Sequence, residues 1–215
     1  MSEKLLDSLD LPISLRHRIL CRVPPHSAGN NDDVLQSEER QTFILYLPTV
    51  LLRKRHNPAF SLACRFANHY GVPVIVLCTV LDDSHLSKKP LSPVTMTARR
   101  LAFTLEALQS CCKQFEDHGA GVGVRIHGPG ARTPHHLSLS HQALLVVSDE
   151  PFVDPYRNYL RRVVNACQAA KVPCFTVDGS TTVPPKSKLQ VCKALGGDLS
   201  FRGKWEWFKQ KNKRL

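Results

Sequence analysis

The sequence predicts an α/β fold, a five-stranded parallel sheet in the order 3-2-1-4-5 with helices on both faces. Two observations predict it. Short, nearly continuous apolar runs rich in β-branched residues recur along the chain, as strands covered on both faces require. Longer segments of helical period separate them, and right-handed crossovers then demand a parallel sheet.

The apolar runs are residues 43–47, 74–81, 122–126, 143–147 and 174–177. Between the first two, residues 57–70 place Phe60, Leu62, Ala63, Phe66 and Ala67 on one side of a helix. Asn57 is its expected cap, Pro58 its first residue and Gly71 its stop. Residues 97–118 form the longest helical pattern, with Leu101, Leu105, Leu108, Cys112 and Phe115 at three- and four-residue steps before Gly119. A shorter helix is expected over 133–140, with Pro134 in its first turn. A fourth is expected over 154–170, capped by Asp154 with Pro155 just inside, burying Tyr159, Leu160, Val163 and Val164. Two βαβ halves give a Rossmann-like sheet with a switch point between strands 1 and 4.

This organisation divides the chain into an N-terminal extension (1–40), the α/β domain (41–185) and a basic tail (186–215). In the extension, a short amphipathic helix is expected over 11–23, with Leu15, Ile19 and Leu20 among Arg16, His17 and Arg18. Pro24 and Pro25 stop it, and the polar stretch 26–40 reads as a loop.

Charge is uneven. The formal net charge is +11. In the last thirty residues nine Lys and Arg stand against Asp198 and Glu206, a net +7. Clustered cations neutralise phosphates, so Lys204, Lys209, Lys211, Lys213 and Arg214 are candidate contacts to DNA, and Trp205, Trp207 and Phe208 add stacking surface. A solvated basic tail is the other reading. Eight cysteines without a C-x-x-C pair read as reduced thiols of an intracellular protein rather than a zinc site. No apolar run reaches the length of a membrane span, so no membrane partner is expected. The first residues do not read as a secretory or transit signal.

Ligands of such a sheet sit beyond the carboxyl ends of its strands, so the informative loops begin at Pro48, Asp82, His127 and Ser148. The first crowds Arg53, Lys54 and Arg55 before Asn57, either an anion contact at a helix N-terminus or plain surface charge. The third, from His127 through Gly128, Pro129 and Gly130, allows close backbone approach to a ligand or serves as a tight turn. The fourth sets Asp149, Glu150 and Asp154 beside Phe152 and Tyr156. Acids there could hydrogen-bond a heterocycle on which an aromatic stacks, or be solvated and capping. No hydrolase, zinc-protease or phosphate-loop signature is present, and the ten histidines read as ordinary surface or satisfied side chains.

Several of these segments resemble the photolyase and cryptochrome family. Leu52-Arg53-Lys54-Arg55-His56-Asn57-Pro58-Ala59 is similar to the family motif R-R-D-L-R-x-x-D-N-P-A-L. Residues 98–108 resemble the family's long second helix. Asp154-Pro155-Tyr156-Arg157 resembles its E-P-Y-x-R helix start, and Asp178-Gly179 followed by Val183-Pro184-Pro185 its D-G-x-x-L-V-P-P segment. Arg22-Val23-Pro24-Pro25 and the Ser148-Asp149 step lean toward class II photolyases. The likeness covers about residues 41–190. Thr49 and Val50 stand at the motif's first two Arg positions, Leu51 and His56 at its Asp positions, and Ser180 where His often follows D-G. The motif's internal Arg–Asp pairing therefore cannot form here.

The resemblance implies a domain that holds an antenna pigment, a folate or a deazaflavin, in a protein of DNA repair or light sensing. It implies a pocket among Arg53, Asn57, Asp82, Gly128, Asp149, Phe152 and Tyr156. Photolyase catalysis resides in a helical FAD-binding domain, the expected partner, which these 215 residues do not contain. FAD binding and repair by this chain alone are not expected, and no catalytic or metal-binding residue is assigned. The competing expectation is a non-enzymatic module for nucleic acid or protein with a degenerate pigment site.

Overall fold

Alternation along each strand builds this molecule. Ile44 and Tyr46 enter one core and Leu45 and Leu47 the other, because successive strand residues point to opposite faces. The computed structural model describes residues 17–21, 43–81, 97–127 and 134–180. Within them lie β1 (His17–Cys21), β2 (Ile44–Leu47), α1 (Pro58–Tyr70), β3 (Val74–Leu81), α2 (Ala98–Glu116), β4 (Gly121–His127), α3 (His135–Gln142), β5 (Leu145–Asp149), α4 (Tyr156–Ala169) and β6 (Cys174–Val177).

The sheet runs β1-β6-β5-β2-β3-β4. Strands β2 to β6 are parallel to one another and reproduce the predicted order 3-2-1-4-5. Helices α1 and α2 cover one face, where Phe60, Phe66, Leu108 and Phe115 pack on Ile44, Tyr46, Val76 and Phe175. Helices α3 and α4 cover the other, where Tyr159, Leu160 and Val163 pack on Leu45, Leu47, Leu77 and Val146. No helix among the described residues is long and apolar enough to cross a membrane.

The capping chemistry of α1 follows its sequence. The Asn57 side chain accepts from the Phe60 amide at 2.9 Å, Pro58 opens the helix, and Gly71 ends it at φ 65°. Thr97 caps α2 by accepting from the Arg100 amide at 3.2 Å.

Five expectations are corrected. The helix expected over 11–23 is not formed at His17–Cys21, which pairs antiparallel with β6 as a sixth strand. Ile19 then packs toward one core and Leu20 toward the other, so the two cover opposite faces as strand neighbours do. Strand β5 begins and ends two residues later than its apolar run, because Ser148 and Asp149 continue in register with β2 and β6. Asp154 does not cap α4. It is exposed and joined to Pro155 by a cis peptide, and the Val153 carbonyl receives the Arg157 amide instead. Leu105 is exposed rather than buried, and Cys111 takes the buried place on α2. Strand β4 is not covered on both faces: it lies at the sheet edge, with Val124 40% and Ile126 63% exposed.

Core truncation separates these environments. Phe66→Ala removes a fully buried ring that tilts against Phe175 and should cost about 3–5 kcal/mol. Phe103→Ala, on the solvent side of α2, should change stability by about 0.5 kcal/mol or less. Urea unfolding followed by circular dichroism measures both.

Candidate functional site

The carboxyl ends of β2 and β5 meet at the switch point, and one side chain organises them. The Asp149 carboxylate, on the last residue of β5, is 1% exposed. Its Oδ2 accepts the consecutive amides of Thr49, Val50 and Leu51 at 2.8, 2.7 and 2.9 Å. Its Oδ1 accepts the Tyr46 hydroxyl at 2.6 Å. That hydroxyl in turn accepts from Asn57 Nδ2 at 2.8 Å, and the same Nδ2 donates to the Arg53 carbonyl at 2.8 Å. An unbroken network therefore runs from β5 through the loop after β2 to the N-terminus of α1. Burial first, and then Asp149, hold the Tyr46 phenol well above its ordinary pKa, so it remains a donor.

The network settles what each predicted residue has to offer. Both oxygens of Asp149 and the buried amide of Asn57 are spent within the fold. The Tyr156 hydroxyl donates to the Thr79 carbonyl at 3.3 Å. Arg53 and Phe152 are exposed, Phe152 by 48%. Asp82, Gly128 and the tail residues Lys204, Lys209, Lys211, Lys213 and Arg214 lie outside the described residues. Thr49, Val50 and Leu51, which depart from the family motif in side chain, contribute their main-chain amides. Leu51 is buried, and a Cβ on Gly179 would overlap its Cδ1 and crowd the Pro58 ring, so glycine there lets the chain leaving β6 close over this loop. The crevice floor is thus filled from inside. The two loops that Asp149 ties together expose the apolar Val50, Phe152 and Val153 alongside the charged Arg53, Arg55 and Asp154.

A second cluster was not anticipated. His136, at the start of α3, is buried with its ring 4.4 Å from that of Tyr159 and 5.2 Å from that of His127. Its Nε2 has no hydrogen-bond partner. Burial, then the neighbouring His127, Arg162 and His135, lower its pKa to about 3. The expectation of ordinary histidines fails here because the polar stretch around residue 136 gives no periodic sign of burial. Tyr159 also shares a 3.2 Å hydroxyl contact with Thr79. Among the described residues no His, Cys, Asp and Glu cluster could hold a metal. The Cys78 thiol faces Cys112 and Cys111 from β3, and desolvation pushes its pKa up, away from thiolate reactivity.

Parallel strands ordered around a switch point, with loops converging at their carboxyl ends, define a doubly wound α/β domain of the Rossmann type. The family model described as DNA photolyase matches residues 46–214, and the chain belongs to that family. Among solved structures, the chain is similar to a universal stress protein from Archaeoglobus fulgidus determined in complex with dAMP. That match has 14% identity and a TM-score of 0.39, over 63% of this chain and 98% of that one. A second structure of universal stress protein from the same organism matches at 14% identity and a TM-score of 0.39, over 65% and 95%. No curated protein matches the chain.

Asp149→Ala should cost roughly 3 kcal/mol or more, because three converging amides and a phenol lose their acceptor. A shift in the urea midpoint with an unchanged far-ultraviolet spectrum is the expected readout. His136 adds a pH dependence. Below pH 6.5 the unfolded imidazole takes a proton that the folded one refuses until about 3, so its stabilisation is complete above pH 6.5 and falls as pH drops. The slope approaches about 1.4 kcal/mol per pH unit, or about 2 kcal/mol between pH 6.5 and 5. His136→Phe should flatten that part of the stability profile, as read from urea midpoints at pH 7, 6 and 5.

Proposed function

We propose that this photolyase-family α/β domain holds an antenna pigment, a folate or a deazaflavin, at the mouth of the switch-point crevice. The exposed apolar set Val50, Phe152 and Val153, on loops fixed by Asp149, is the observation that supports this reading. A planar heterocycle stacks on such a surface, with Phe152 beneath it and Arg53 available to an anionic group. The filled floor argues for a pigment lying across the mouth, where Asn57 and Asp149 act by positioning the loops. Such a pigment absorbs near-ultraviolet or blue light and passes the excitation on. Service to DNA repair or light sensing then requires the helical FAD-binding domain as partner, and FAD chemistry lies outside these residues.

A second reading has its own support. Among the described residues the Asp149 carboxylate and the buried Leu51 occupy the space between β2 and β5 at the switch point, which suits a non-enzymatic module whose pigment site has degenerated. Its partner would be nucleic acid, engaged through Lys204, Lys209, Lys211, Lys213 and Arg214.

The purified chain, incubated with each pigment and freed of excess, is expected to retain absorbance in the near ultraviolet or blue. Phe152→Ala should weaken retention by up to about tenfold. A chain that retains neither pigment refutes the antenna reading. DNA binding by that colourless protein, lost on deleting residues 186–215, would establish the second.

A further inference from the structure

The two edges of the sheet are built differently. Strand β1 is short, and its register with β6 breaks between Ile19 and Cys21, a form that resists further pairing. Strand β4 runs seven residues in unbroken register with β3, and Arg125 is its one formal charge. Its Val124 and Ile126 are exposed and continue into exposed Leu105 on α2. An open depression between Leu105, Leu108, Cys112 and Val124 follows this edge.

Helix α2 carries its charge the wrong way round for its own dipole. Arg99 and Arg100 stand in the first turn, which holds no acid, and Glu116 and Asp117 stand at the C-terminus beside Lys113. The Arg99, Glu116 and Asp117 placements are unfavourable in an isolated helix, and Lys113 offsets part of that cost.

One arrangement answers both features. We propose that the β4 edge docks a second copy of this chain, strand antiparallel to strand about Val124, forming one continuous twelve-stranded sheet. In that register Val124 faces Val124 of the second copy and Val122 faces Ile126, on the face that α2 covers. Arg125 faces Gly123, so no like charges oppose directly. The depression beside Val124 runs along α2 from Leu105 to Asp117, so the two-fold axis sets α2 beside its copy in the opposite direction. Arg99 of each helix then lies toward Glu116 and Asp117 of the other, and the opposed dipoles favour the same pairing.

Light scattering on the full chain in reductant tests this. Mass should rise with concentration from 24.1 kDa toward twice that value. Val124→Lys should abolish the rise while leaving the far-ultraviolet spectrum unchanged, because the side chain is partly exposed at the sheet edge. Arg99→Glu and Glu116→Arg should each weaken association by about tenfold or more, and the double variant should restore it by swapping the charges. A chain that stays at 24.1 kDa at every concentration overturns the proposal. So does a dimer that Val124→Lys leaves intact, or a double variant no better than the single ones.

Discussion

The Asp149 carboxylate against the amides of Thr49, Val50 and Leu51 is the constraint on which the rest of the site depends. Burying a carboxylate is unfavourable unless its lone pairs are met, and here three main-chain amides and the Tyr46 hydroxyl meet them. The amides in question are those a chain exposes as it leaves a strand, with no ladder partner of their own. One charge therefore satisfies three donors, closes the seam between β2 and β5 at the point where the topology reverses, and passes through Tyr46 to the Asn57 cap of α1. Position of loop, strand and helix are set together, because removing any one member leaves a buried polar atom of another without its partner.

That network explains both what was legible in the sequence and what was not. The strands β2 to β6, their order, Asn57, Pro58 and Gly71 rest on local rules: apolar runs, fixed backbone angles and caps that bond within four residues. These survive folding because nothing distant overrides them. Asp149 is different. Its partners lie about a hundred residues away, and in sequence it is one acid in a loop of acids. Only the two-residue extension of β5 through hydroxyl-bearing Ser148, which donates to the Leu47 carbonyl, turns it inward. The same limit hid β1. Its residues His17–Cys21 suit a helix as well as a strand, and pairing with β6 decides the matter. His136 was missed because one buried ring in a polar eight-residue helix leaves no pattern.

Family membership and the local chemistry of the site bear on function from opposite directions. The family supplies an α/β domain, and in such a sheet the loops after β2 and β5 lie beyond the carboxyl ends of the strands, where ligands of this architecture sit. This chain keeps Asn57 and Pro58 of the motif, and replaces its charged loop side chains with Thr49, Val50 and Leu51. The main-chain amides of the three replaced positions converge on the Asp149 carboxylate. A loop held this way offers no charge from those three side chains, but presents apolar surface in a defined place. The antenna reading therefore calls on shape and stacking at this mouth, with the exposed Arg53 as a cation on the same loop.

The rigidity at the centre and the openness at one side come from the same strand order. A switch-point sheet grows outward from β2 and β5, so its first half ends on the third strand laid down, here β4. Its helices connect neighbouring strands, which leaves each of them displaced toward the inner strand of its pair. Helix α2 accordingly buries Leu108, Cys111 and Phe115 over the sheet while Leu105 overhangs the edge. The far half ends on β6, and there the antiparallel β1 takes the exposed ladder. Nothing in the crossover rule supplies an equivalent for β4. An unbroken parallel edge strand with apolar side chains and a single charge is stable in water at some cost, and the inverted charges of α2 beside it add to that cost. Both costs fall on the same surface, and a two-fold related copy relieves both at once.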